Sequence, residues 1–218
     1  MSNATAQQSG ERCRLRVRFR KEGLLRWIGH HDLMRTFERL ARRAALPLSM
    51  SEGFHPKPRI RFPSALSLGI EGHNEVVEFD LSRPVSAAHV EQALSAQAPV
   101  GLGIGKVELL APGTGKARVR TTTYRFAVPA ERQSAVARAA EQLEKQTTLT
   151  VTRRGRKQAE PLPLNLEYVV LDGDQLEFCL RETHRAAARP RDILQALGLD
   201  DLEQEGRYLQ RTAVELVT

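Results

Sequence analysis

The chain of 218 residues is long enough for one large or two small domains, and its 41% hydrophobic content allows a packed core, which excludes a wholly disordered protein. No stretch approaches the roughly 18 consecutive apolar residues of a membrane span. Residues 1–10 lack the apolar segment of a signal peptide, so we expect a disordered tail on a cytoplasmic protein.

Positive charge is concentrated near the start of the chain, although the net charge of the whole is only +7. Residues 11–62 contain fourteen Lys and Arg against five Asp and Glu, whereas residues 63–112 contain two against six. A basic block beside an acidic one indicates an oriented electrostatic surface rather than general solubility. We therefore expect an anionic partner, and RNA is the first candidate.

The first predicted strand alternates strictly between apolar and basic residues from Cys13 to Arg20. This period of two predicts a half-buried strand whose apolar side chains face a core. Five guanidinium groups would share its other face, roughly 6.6–7 Å apart. They would bind phosphates or, in the alternative interpretation, pair with acids such as Glu75 and Glu78 on a neighbouring strand. The five are Arg12, Arg14, Arg16, Arg18 and Arg20.

From His30 to about Leu46 the apolar period changes to three and four residues, which predicts an amphipathic helix ended by Pro47. Arg35, Arg39 and Arg42 form a second basic stripe along it. The loop that follows, residues 51–59, contains one glycine and two prolines and adds Lys57 and Arg59 to the basic set. The predicted polyanion-binding residues are thus Arg14, Arg16, Arg18, Arg20, Arg35, Arg39, Arg42, Lys57 and Arg59.

The remaining pattern predicts the order strand, helix, strand, strand, helix, strand over residues 11–111, and the same order again over residues 119–218. Residues 112–118 read as a linker. We therefore predict an α+β protein of two ferredoxin-like βαββαβ units with antiparallel sheets and helices on one face. An extra strand near Leu162 fits imperfectly, and the two sheets could also merge into one.

Few residues are suited to metal binding or catalysis. Two cysteines, Cys13 and Cys179, are too few for an iron–sulfur cluster or a four-thiolate zinc site, and we expect two buried, inert thiols rather than a disulfide. His30, Asp32, Glu52 and His55 would form an acid/base or metal site only if the loop folds back over the helix start. We predict no metal and no cofactor.

Two segments resemble the radical-SAM-linked protein family, a bacterial domain of unknown function. The family's pattern is a Ser-His-Leu-Asp-Leu-Met-Arg helix start followed by Ser-Glu-Gly-Phe-Asn/His-Pro-x-Pro-Arg. Here Gly29 replaces the serine and His31 the leucine. The residues that match, over a region of roughly 12–82, are His30, Asp32, Arg35, Ser51, Glu52, Gly53, Phe54, His55, Pro56, Pro58 and Arg59.

The resemblance implies a partner protein for a radical SAM enzyme, although this chain has no cluster-binding cysteine motif. Three hypotheses follow. The first is an accessory protein that binds RNA or another polyanion and works with a radical SAM enzyme. The second is a protein–protein adaptor whose basic face docks on an acidic partner. The third, less favoured, is an enzyme with a His/Asp/Glu site at the helix start and the loop.

Overall fold

A computed structural model describes residues 13–152, 159–183 and 185–217. The predicted tail of residues 1–10, Arg12 and the basic segment 153–157 lie outside these residues. The described chain is a mixed α+β protein with four α-helices and a mostly antiparallel eight-stranded sheet, as the sequence predicts for the fold class. Its contacts divide it into two compact units, which exchange at residues 68/69, 74/75 and 116/117.

The first unit contains residues 13–68 and 75–116 of the described chain. Its strands lie in the order β4, β1, β3, with β2 on the other side of β3, and β4 is antiparallel to β1 as β2 is to β3. In chain order its elements are β1 (Cys13–Lys21), a 3₁₀ helix (Gly23–Trp27), α1 (His30–Arg43), β2 (Ile60–Arg61), β3 (Glu71–Leu81), α2 (Ala87–Gln97) and β4 (Leu102–Leu110).

The core of the first unit forms because strands and helices bury their apolar faces against one another. Both helices contribute to one cluster together with β1 and β3, so they cover the same face of the sheet. The hydroxyl of Ser86 accepts a hydrogen bond from the backbone N–H of His89 and so caps α2, as its position predicts. The fully buried members include Leu15, Val17, Phe37, Leu40, Val77, Phe79, Leu81, Val90 and Leu94.

The second unit contains residues 69–74 and the described residues from 117 onward. The first residues of β3 therefore belong to it, and they pair in parallel with its last strand at Glu71 and Gly72. The other strands lie in the order β10, β5, β9, β8, each antiparallel to its neighbour. The remaining elements are β5 (Val119–Ala127), α3 (Ala130–Leu143), β6 (Thr148–Val151), β7 (Glu160–Pro163), β8 (Leu166–Asp172), β9 (Gln175–Arg181), α4 (Pro190–Ala196), a 3₁₀ helix (Asp200–Glu203) and β10 (Gln210–Leu216).

Two details of the second unit differ from the prediction. Residues 162–171, predicted as one strand, divide between β7 and β8, because the chain leaves the extended pairing near Leu164 and Asn165. The hairpin of β6 and β7 is a two-stranded sheet of its own. The two cysteines are free thiols, and burial raises the pKa of each; Cys179 is buried, whereas Cys13 is only half-buried. None of the described helices is both long and apolar enough to span a bilayer.

Candidate functional site

β1 carries arginines that the sequence predicts on it, but two of them form ion pairs with acidic residues of the same protein. Arg14 donates from Nε to Asp80 at 3.1 Å and from Nη1 to the carbonyls of Thr114 and Gly115. Arg16 donates from Nε and Nη2 to one oxygen of Glu78, at 3.2 and 3.0 Å. Both acids come from β3 and are buried. The alternative interpretation, a salt-bridged strand face, therefore describes these two arginines.

The remaining arginines of the row differ in exposure. Arg18 is half-buried, and burial, with Arg16 beside it, lowers the pKa of its guanidinium. Arg20 is 61% exposed and lies 4.0 Å from Glu22. The described part of the row therefore does not present a line of equivalent cations to a ligand, and Arg20 is the most accessible of its four described arginines.

Glycines on β4 make room for the outer part of the row. A Cβ atom on Gly103 would lie 3.0 Å from Nε of Arg20, and one on Gly105 would lie 3.2 Å from the carbonyl oxygen of Arg18. Gly103 therefore leaves room for the side chain of Arg20, and Gly105 allows close approach of the Arg18 backbone. The sequence alone gave no reason to connect either glycine with β1.

The solvent face of α1 carries four exposed arginines, three of which belong to the predicted set. Arg35, Arg39, Arg42 and Arg43 fall within an arc of about 100° of the helix, opposite its apolar face. Arg35 and Arg42 are 72% and 68% exposed, and they lie 3.6 and 3.9 Å from Asp32 and Glu38 respectively. Exposed pairs at such distances contribute little stability, so these guanidinium groups remain able to contact a ligand.

Aromatic packing of the His30 side chain holds the start of α1 in place. The ring of His30 lies against Phe62 with centroids 5.4 Å apart, and Phe62 in turn contacts Phe19 and Phe37. Burial lowers the pKa of His30, with smaller contributions from His31 and Lys21. His30 is therefore a neutral packing residue of the aromatic core.

The family-motif loop is closed at its base and open at its tip. Ser51 accepts a hydrogen bond at Oγ from the backbone N–H of Lys57 at 2.9 Å, and its own N–H donates to the carbonyl of Lys57 at 2.8 Å. Met50 forms a bridge with Pro58. Glu52 lies 3.6 Å from Arg59, which also donates to the carbonyl of Met50 at 3.2 Å. Gly53, Phe54, His55 and Pro56 are all exposed.

The two acids of the His/Asp/Glu hypothesis each lie beside an arginine. Asp32 is 3.6 Å from Arg35, and Glu52 is 3.6 Å from Arg59. The hypothesis itself stays a prediction. Throughout the described chain, no group of three or more His, Cys, Asp or Glu is placed to hold a metal ion.

The base of the loop lies beside the C-terminal end of β3, next to the segment that follows α1. After α1 the chain bridges to β3 through Leu48 and Leu81, and the N–H of Ser49 donates to the carbonyl of Asp80. The N–H of Arg59, beyond the loop, donates back to the carbonyl of Ser49. This arrangement joins the base of the loop to the segment that follows Arg42 and Arg43.

The sequence profile of a family described as an uncharacterized protein conserved in bacteria (DUF2344) matches residues 14–190. The chain belongs to this family. The match covers the arginine row from Arg14 onward, α1, the motif loop and most of the second unit, so both units of this DUF2344 chain lie largely within the family region. A comparison with curated proteins finds no match.

Two features of this family member escaped the sequence analysis. Leu24, Trp27 and Val100 are exposed by 84%, 58% and 99%, and a hydrogen bond from Glu22 to the carbonyl of Gly101 joins the segments that carry them. Isolated apolar residues in turns give no periodic signal, so the sequence did not indicate this patch. In the second unit, a cavity of about 310 Å³ is lined by Arg181, Arg185 and Arg189 among others.

Proposed function

We propose that the protein binds a polyanion, with RNA as the favoured ligand, and that the exposed face of α1 with the adjoining motif loop forms the contact surface. The observation that carries the proposal is the cluster of four exposed arginines on one side of α1. The sequence alone favoured the arginine row of β1, but Arg14 and Arg16 already have carboxylate partners. The proposal therefore places the main contacts on the helix.

Arginine suits this role better than lysine because its planar guanidinium group can donate two parallel hydrogen bonds to a phosphate. Arg35 and Arg42 lie seven residues apart, about 10 Å along the helix axis. Such contacts act mainly through the phosphate backbone, so they supply affinity and position rather than sequence specificity. A cytoplasmic site of action is part of this proposal, since that is where an RNA ligand is available to a bacterial protein.

The experiment compares RNA binding by the wild-type protein with binding by a variant carrying Arg35→Glu, Arg39→Glu and Arg42→Glu. Fluorescence anisotropy with a labelled RNA, at moderate salt, should show affinity lowered by at least roughly ten-fold. A matched control carries Arg118→Glu, Arg138→Glu and Lys145→Glu, three exposed positions in the second unit. It changes the net charge by the same amount and should bind nearly as tightly as the wild type.

Equal affinity of the two triple variants would overturn the proposed surface, because net charge alone would then account for binding. No salt-dependent binding by the wild-type protein would overturn the function itself.

A radical SAM enzyme is the protein partner we propose, on the strength of the motif resemblance at the helix start and the loop. The exposed apolar residues Leu24, Trp27 and Val100 support a second candidate function, an adaptor that docks on a protein. Arg20 and Arg26 flank them, so the docking surface suits an acidic partner. Co-purification of a co-expressed radical SAM protein, abolished by Leu24→Ser with Val100→Ser, would support this candidate.

We also propose that both units are variants of the ferredoxin-like fold. The strand order of the first is β4, β1, β3, β2, and that of the second is β10, β5, β9, β8. The second has the same arrangement if the hairpin of β6 and β7 is treated as an insertion before its second strand. An experimental structure that shows a different order would overturn this assignment.

A further inference from the structure

The tip of the motif loop presents a single aromatic side chain to solvent. Phe54 is fully exposed, at 102% of its reference area. It takes part in no aromatic pair with any other residue that the structure describes. A large apolar side chain in this state gives up the stabilisation that burial would provide, which is the expected cost of a residue kept for an external contact.

The loop that carries Phe54 is closed at its base by hydrogen bonds, so the position of the ring is constrained. Two hydrogen bonds between Ser51 and Lys57 close the base, and the Met50–Pro58 bridge lies directly outside them. Gly53 adopts a φ of 117°, a conformation that the turn before Phe54 requires and that other residues rarely adopt. Pro56 and Pro58 fix two further φ angles. A ligand would meet a largely preformed loop, which reduces the entropy lost on binding.

The loop that carries the ring also carries cationic side chains. Lys57 is exposed in the same loop, as is His55. Arg59 stands at the loop base, and the segment that leads into the loop follows directly from the basic C-terminal turn of α1. An isolated aromatic face among cations is the combination that single-stranded nucleic acids need, since bases stack on the ring while phosphates contact the charges.

We propose that Phe54 is a stacking platform for an unpaired nucleobase, so that the preferred ligand is single-stranded RNA or an unpaired loop rather than a duplex. Bases inside a duplex are already stacked on one another and do not offer a face to the ring. The inference rests on the proposed function, and it adds a preference for unpaired bases that the arginines of α1 do not supply. Lys57 contacts the phosphate beside the stacked base.

The test uses one short fluorescein-labelled RNA without self-complementarity, alone and annealed to its complement. Phe54→Ala should weaken binding of the single strand roughly ten-fold and leave binding of the duplex unchanged. Phe54→Trp should restore single-strand binding, whereas Phe54→Leu, which is apolar but has no π face, should not. Val170→Ala removes an exposed apolar side chain of the second unit and serves as the matched control, with affinity close to the wild type.

A spectroscopic signature separates stacking from an indirect effect. The chain contains one tryptophan, so Phe54→Trp combined with Trp27→Phe leaves a single indole at the loop tip. Its fluorescence should be quenched when the single-stranded RNA is added, and much less so by the duplex. Unquenched fluorescence at saturating RNA would contradict direct contact with a base.

The possible outcomes distinguish this inference from the proposed function. If the α1 triple variant loses RNA binding while Phe54→Ala binds both RNA forms normally, the function stands and the stacking platform is wrong. If the wild-type protein binds neither form, both are wrong. If Phe54→Ala binds RNA normally but no longer retains a co-expressed radical SAM partner, the ring is a protein contact and the stacking proposal is overturned.

Discussion

Arg16 and Glu78 form a two-donor ion pair in which Nε and Nη2 of the arginine contact the same carboxylate oxygen. The carboxylate is 1% exposed and the guanidinium 18%. A buried carboxylate is costly without a cation or donors around it. This pair therefore explains why a basic side chain stands at this position of β1: it compensates an acid that the fold has buried.

Arg16→Ala should lower the free energy of unfolding by about 2 kcal/mol or more, because it leaves Glu78 buried without this partner. Urea denaturation followed by circular dichroism measures the change. Replacing both residues by methionine should recover most of the loss, since no uncompensated charge remains. Arg20→Ala, at an exposed position of the same row, is the control and should cost less than about 1 kcal/mol. Similar losses in the two single variants would contradict the assignment.

Gly101→Ala should destabilise the first unit by about 2–3 kcal/mol. Gly101 has a φ of 86°, and an added Cβ would lie 2.6 Å from the carbonyl oxygen of Glu22. Gly113→Ala separates the cost of the positive φ from the cost of the steric contact. Gly113 has a similar φ of 79° but nothing within 4 Å of the added atom. It should cost only about 1 kcal/mol. Thermal denaturation of both variants gives the comparison, and equal losses would rule out the steric contact.

The lowered pKa of His30 predicts a dependence of stability on pH. Protonation is less favourable in the folded state, so the unfolded chain binds more protons once the pH falls below the ordinary value of 6.5. The contribution of His30 to stability is therefore constant above that value and decreases as the pH falls through it. His30→Phe keeps an aromatic ring on Phe62 but removes the titration.

The measurement is the free energy of unfolding of wild type and His30→Phe across this range of pH. The stability of the variant relative to wild type should rise as the solution becomes more acidic. A difference between wild type and His30→Phe that stays constant with pH would contradict the assignment.

The salt dependence of RNA binding should report how many α1 arginines contact phosphates. For single strands the slope of log affinity against log salt changes by about 0.7 for each contact. The variant with Arg35, Arg39 and Arg42 replaced by glutamine should therefore show a slope smaller in magnitude by roughly two units. Arg14→Gln should leave the slope unchanged, because its guanidinium already contacts Asp80. A slope that responds to Arg14 and not to the helix would place the contacts on β1.

Ser51→Ala tests whether closure of the motif loop matters for binding. The change removes the acceptor for the backbone N–H of Lys57 and should cost about 1 kcal/mol of stability or less. Single-strand RNA affinity should fall a few-fold, because the loop must then be ordered on binding. Ser51→Thr keeps the hydroxyl and should bind as the wild type. Unchanged affinity in Ser51→Ala would show that a preformed loop is not required.

Local pattern was sufficient to predict the elements of the first unit. The alternation in β1 and the three- and four-residue period in α1 each depend on side chains within a few positions of one another. The sequence therefore predicted the inward residues Leu15, Val17 and Phe19 and the exposed stripe of α1.

By itself, then, the sequence determined most of the strands and helices, where positive charge accumulates and which motif the loop carries. Only the tertiary structure decided which of those charges are available. Asp80 and Glu78 lie 66 and 62 residues from the arginines that they neutralise, and such pairing depends on sheet register, which no local pattern specifies. For the same reason, the exposure of Phe54 at the loop tip became visible only in the fold.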